Sequence, residues 1–252
     1  MLLSHIINIG DRCCFKWEAR AVDEIFHFGK WIFISSILGF LLIQGDRLLL
    51  GGLVSPEVLG VYTVAFFLAN SLRDLILRLL KAVFLPLLSE VLRNSPNTVE
   101  AVYYKIRLRV DTITMPVAGF LFSTGGEVIN LLYDERYENA GWMLGVLSLS
   151  MISIGFMLSE ELFVSYGKPK FNSMIKFTLM VSTYVFVPVS FYYFGLNGAI
   201  WAIALIPLLM IPISMVVMSK YFFMNLYREL VFLLLVPIGY IIGEQLKSLV
   251  QL

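Results

Sequence analysis

At 252 residues, 59% hydrophobic and 15% charged, with a mean hydropathy of +0.83, the chain is too apolar for a soluble globular domain. A formal net charge of +1 offers no basic field for nucleic acid, which is excluded as a partner. Cys13 and Cys14 are adjacent and the histidines are His5 and His27, a set unsuited to a structural disulfide or a four-ligand metal site, so neither a metal nor a cofactor is expected.

The opening "MLLSHIINIG" is apolar but has no basic start and no small-residue cleavage site, so it reads as the tail of a helix that has already crossed a membrane rather than as a signal peptide. In 11–30, Trp17, Ala21, Ile25 and Phe28 fall at helical spacing among mixed charges, the pattern of an interfacial lead-in helix. Residues 1–30 are therefore taken as the end of a preceding helix plus a cytoplasmic lead-in, and 31–252 as a transmembrane helical lobe. Its apolar blocks lie at about 31–53, 58–92, 110–132, 139–163, 172–194 and 196–218, most of them long enough to cross ~30 Å of hydrocarbon. A last block at 229–243 is short for a span unless it extends to 247, with Glu244 and Lys247 among the headgroups. The expected fold is an all-α, polytopic transmembrane protein of six to seven spans.

Alternate connectors are basic. Arg12, Lys16, Arg20, Lys30, Arg93, Lys105, Arg107, Arg109, Lys168, Lys170, Lys176, Lys220 and Arg228 fall on one side, against Arg136 on the other, which places the N-terminal segment in the cytoplasm. The longest connector is 93–109, whose Asn-Ser-Pro-Asn start marks a turn and whose later aromatic and basic residues suit an anionic headgroup surface. Pro86, Pro116, Pro188, Pro207, Pro212 and Pro237 sit inside spans, as membrane helices tolerate where freed carbonyls find partners. Gly141/Gly145 and Gly239/Gly243 have close-packing spacing, favouring intramolecular helix contact over a dimer seam.

Two sets of intramembrane polar residues are candidates for function. In "FLLIQGDRLLLGG", Asp46 and Arg47 lie inside the first span; adjacent residues on a helix point apart, so they are expected to meet different partners. In block 58–92, Asn70, Arg73, Asp74, Arg78 and Lys81 occupy about 140° of the circumference, with Leu72, Leu75, Leu79 and Val83 opposite. A charge facing lipid costs several kcal/mol, so the stripe should face water, a partner or a cavity, either as an anion path for a phosphate or pyrophosphate headgroup or as a solvated protrusion. Asp111 is expected to line the cavity mouth or to pair with Arg107 or Arg109, and Asp74 and Asp111 are the coupling candidates. Glu160 and Glu161 would be neutralised by Lys168 or Lys170. No phosphate loop, His-Glu-x-x-His, nucleophile elbow or paired carboxylates appear, so an enzyme is not expected.

"FGKWIFISSILGFLLIQGDRLLLGGLVSPEVLGVYTVAFFLANSL" (28–72), "LLYDERYENAGWMLGVLSL" (131–149), "VSYGKPKFN" (164–172) and "FGLNGAIWAIAL" (194–205) together resemble the polysaccharide transporter, or oligosaccharide flippase, family of the multidrug, oligosaccharidyl-lipid and polysaccharide exporter superfamily. The resemblance implies a two-lobed exporter in the bacterial inner membrane that flips a polyprenyl-diphosphate-linked oligosaccharide for O-antigen, capsule or exopolysaccharide assembly. It places this chain as the second lobe alone. The partners implied are then the lipid-linked glycan, membrane lipids and a first lobe or another chain supplying the facing wall. A cation-coupled drug antiporter of the same superfamily, using Asp46 or Asp111, and a non-transporting fragment are the rival expectations.

Overall fold

The computed structural model describes residues 40, 41 and 43–250, apart from the side chains of Lys81, Pro169 and Val250. The expected lead-in helix at 11–30 and the start of the first span lie outside the described residues. The chain divides into two compact units, Met1–Ile43 and Gln44–Leu252. In the first, positions 40, 41 and 43 are described, and all are helical.

The second unit is built of helices, with no strand among the described residues. Helix α1 occupies 44–53. The chain then turns at Ser55, whose hydroxyl accepts from Val58 N at 3.5 Å, and Pro56 begins α2 (Pro56–Asn94) with its fixed φ. A single 3-10 turn, Pro96–Thr98, separates α2 from α3 (Val99–Leu132). A second turn at Glu135–Tyr137 leads to α4 (Ala140–Ser148), which continues through 3-10 residues Leu149–Ser153 into α5 (Ile154–Ser165).

Helix α6 (Pro169–Leu205) comprises two helical limbs joined by a kink at Gly195, where φ is 62° and ψ is −152°. That backbone region is open essentially to glycine alone. Beyond it come 3-10 residues Ile206–Leu209 and α7 (Met210–Tyr221). The Phe171 ring meets the Tyr221 ring at 5.0 Å. A straight helix over that interval would hold them roughly 75 Å apart, so the two limbs form a hairpin, as the expected spans 172–194 and 196–218 require. The chain ends in α8 (Leu226–Leu230), 3-10 residues Val231–Leu234 and α9 (Leu235–Val250).

Pro96–Leu132, Ala140–Ser165, Lys170–Tyr221 and Leu226–Leu249 are each long and apolar enough to cross a membrane. The last of these extends the short block at 229–243 to spanning length. Exposed Phe177, Val181 and Val185 give α6 an apolar outer surface suited to lipid. Tyr192, Tyr193 and Phe194 are strongly exposed beside the Gly195 reversal, as interfacial aromatic anchors are.

Helix α3 is the spine of the unit, and both glycine pairs are spent on it. A Cβ on Gly141 would stand 2.6 Å from Gly126 Cα, and one on Gly145 would stand 2.8 Å from Phe122 O. A Cβ on Gly239 would strike Pro116, and one on Gly243 would strike Ser123. Both pairs thus work within the chain, bringing α4 and α9 to backbone contact with α3.

The connector expected at 93–109 is much shorter than the sequence implied. Only 95–98 lie outside α-helix, and Tyr103, Tyr104 and Arg107 are buried rather than spread on a headgroup surface. Tyr103 and Arg107 are one helical turn apart, so once α3 starts at Val99 they share its inward face.

Candidate functional site: charges folded between the helices

The misplaced pair of α1 does find separate partners. Asp46 is buried and accepts a hydrogen bond from the Tyr62 hydroxyl on α2. Arg47 donates to Gln44 Oε1 at 3.3 Å and lies over the Phe66 ring at 4.7 Å. Gly45 leaves room for Tyr184, whose hydroxyl would stand 3.1 Å from any Cβ there. Asp46 therefore ties α1 to α2 inside the packing.

The stripe on α2 does not act as one face. Tyr62, Ala65, Ala69, Phe84 and Leu88 are buried and define the inward side of α2, and Arg73 shares their meridian. Arg73 Nη2 reaches Met157 Sδ on α5 at 3.6 Å. Asp74 and Arg78, about 100° and 140° further round, are exposed with Leu75, Leu79 and Val83. Asn70 spends its amide on Phe66 O at 3.0 Å in its own helix. The expected division of polar from apolar sides is thus corrected: Leu72 packs against the core, and the outer surface mixes charge with aliphatic side chains. Hydropathy assigned Leu72 outward because it could not show which meridian the other helices cover. The Lys81 side chain lies outside the description.

The densest charge cluster belongs to none of the sequence candidates except Asp111. Arg107, counted from sequence among the connector cations, is 1% exposed two turns inside α3. Its Nε donates to Asp111 Oδ2 at 3.1 Å, its Nη1 donates to Tyr103 Oη at 3.2 Å, and the same Nη1 pairs with Glu229 Oε2. Its Nη2 reaches Glu229 O at 3.4 Å, and the guanidinium carbon lies 3.9 Å above the Phe156 ring. Tyr104 Oη accepts from Asn225 N at 2.8 Å, fixing the start of α8. Asp111 thus pairs with Arg107, one of the two partners expected for it.

A cleft of about 420 Å³ reaches this cluster, lined by Tyr104, Lys105, Arg107, Tyr227, Arg228 and Phe232 among others. Glu160 is buried and pairs with Lys176 at 3.8 Å, where Lys168 or Lys170 was expected. Lys168 instead caps the Phe222 ring at 5.1 Å. Among the described residues no group of three acidic, histidine or cysteine side chains could hold a metal ion.

Long apolar helices joined by tight turns, an aliphatic exterior and charges folded onto internal partners define an all-α polytopic membrane protein. The polysaccharide biosynthesis protein family matches residues 1–142, more than half of the chain, and the chain belongs to that family. No curated protein and no solved structure matches it. The chain is thus a membrane-embedded protein of polysaccharide biosynthesis.

Proposed function

We propose that this chain forms one lobe of a flippase that carries a polyprenyl-diphosphate-linked oligosaccharide across the bacterial inner membrane, with its N-terminal segment in the cytoplasm. Family membership supports the pathway, and the long apolar helical segments support a place in the membrane. The observation that carries the reading furthest is on α2, where Asp74 and Arg78 are exposed on a surface otherwise made of Leu75, Leu79 and Val83. Charges held against lipid are costly, so this face is suited to a polar counterpart: a diphosphate headgroup passing along it, or the wall of a facing lobe. Arg78 and Lys81 are the proposed phosphate contacts, with Asp74 as a charge balancing them. Asp46, one of the two carboxylates a drug antiporter would use as its ion carrier, accepts a hydrogen bond from Tyr62.

The test is surface polysaccharide in cells whose own copy of this gene is replaced by variants. Arg78→Gln with Lys81→Gln should abolish export at unchanged protein level. Arg73→Gln should act differently, lowering protein level, because Arg73 is turned into the α2–α5 packing. Wild-type export in the Arg78/Lys81 double variant would remove this face from the mechanism.

A further inference from the structure

We propose that Asp111 and Glu229 form a proton-binding site that shares one exchangeable proton across Arg107. Two carboxylates, 0% and 3% exposed, face one guanidinium that is 1% exposed. If both carboxylates are ionised, the cluster carries one uncompensated negative charge out of contact with water. Asp111 Oδ1 and Glu229 Oε1 are moreover buried without a hydrogen-bond partner. An unpartnered carboxylate oxygen in a medium of low dielectric is costly, and one proton on either group removes both the excess charge and one bare acceptor.

The surroundings supply no other neutralising charge. Among the described residues the ion pairs to these two carboxylates come from Arg107. From α3 the titratable neighbours are Tyr103 and Tyr104, and α5 contributes uncharged Gly155 and Phe156. From the α8 side come Arg228, which stacks at 5.3 Å over the Tyr104 ring, and the apolar Val231 and Phe232. Lys105 and Arg228 are exposed in the cleft, and neither pairs with Asp111 or Glu229.

A metal ion fits poorly. Hard cations take six or more oxygen ligands, whereas two bare oxygens are on offer. Gly155 also closes directly onto Asp111 Oδ1, so tightly that a Cβ there would collide with it, leaving no room for a hydrated ion. A proton needs no coordination shell. The cleft lined by Lys105, Tyr104 and Arg228 leads from the surface to Arg107 and provides the route for its exchange with water. Binding transfers a proton from hydronium to a carboxylate, leaving water and a neutral acid, with no other bond changed.

The test is infrared spectroscopy of the purified full chain in lipid nanodiscs, titrated in pH and read at the carbonyl stretch of a buried carboxylic acid. The wild type should show the band under acidic conditions and lose it as pH rises, with no response to sodium at fixed pH. Glu229→Gln and Asp111→Asn should each abolish the band, because either substitution leaves a neutral pair with Arg107. Glu229→Asp, which keeps the carboxyl, should shift the band instead; it carries the test if the neutral variants do not fold by circular dichroism. An absent wild-type band, a band surviving in both neutral variants, a band unmoved in Glu229→Asp, or displacement by sodium would overturn the proposal. None of these readouts requires transport, so the site stands or falls separately from the flippase reading.

Discussion

Gly239→Ala should loosen α9 from α3. A Cβ on Gly239 would stand 2.0 Å from Pro116 O and 2.7 Å from both its C and Cα, where ordinary contact begins at 3.4 Å. These are backbone atoms of a packed helix and cannot rotate away, so the helices must part by roughly 1.4 Å, the shortfall at Pro116 O, along this crossing. A gap of 0.5–1 Å already forfeits about a quarter to a half of each dispersion contact it opens, and this one is wider. Small-to-large substitutions in tight packing cost about 1–3 kcal/mol, and the better helix propensity of alanine returns at most about 1 kcal/mol. A net loss of about 1–2 kcal/mol is expected. Gly119 lies against Val236 O in the same crossing, so Gly119→Ala should cost a similar amount. The double variant should lose less than the sum, because helices already parted admit the second methyl group freely. Unfolding of the purified protein in detergent, followed by circular dichroism, measures this against Gly60→Ala, whose Cβ meets nothing. If Gly239→Ala is as stable as that control, or if the two crossing variants add fully, the close approach of α3 and α9 is refuted.

Three further outcomes follow from the same contacts. Arg107→Met should be the most damaging single change, at about 3–5 kcal/mol, because it strands two buried carboxylates; detergent unfolding should show it well below Glu229→Gln. A double-mutant cycle on Asp46→Asn and Tyr62→Phe should give a coupling of about 0.6–1.7 kcal/mol, the range for hydrogen bonds between membrane helices, and zero coupling would deny the α1–α2 tie. Gly195→Ala should cost about 1–3 kcal/mol through backbone strain at the hairpin reversal, since its φ of 62° suits glycine. Limited proteolysis at that turn reads the loosening directly.

Several of these features are legible in the residues themselves. The apolar runs at 139–163, 172–194 and 196–218 coincide with α4 plus α5 and with the two limbs meeting at Gly195, because each is a long apolar segment bounded by turn residues. The intramolecular use of the glycine pairs also follows from spacing. Of the Arg107 cluster, the pairing with Asp111 is among the expectations as one of two alternatives, and the places of Tyr103 and Glu229 are not. In the sequence Arg107 is one more basic residue beyond an Asn-Ser-Pro turn, and Glu229 is the edge of a short hydrophobic block. The signal that could have found the cluster is the i, i+4 pattern of Tyr103, Arg107 and Asp111, which places all three on one helical face.

Hydropathy, proline placement and glycine spacing by themselves pointed to a helical membrane protein, since the transfer of an apolar segment from water depends on that segment's own composition. Which side of each helix faces a neighbour depends on chain far away. Arg107 meets a residue 122 positions on, Arg73 meets one 84 positions on, and Asp46 is held from the next helix. A charge in hydrocarbon is settled by its partner, and no local pattern contains the partner's position. Tertiary structure alone therefore decided that the stripe on α2 divides between the core and the outer surface. It also decided that the most deeply buried charges among the described residues gather where α3, α5 and α8 meet.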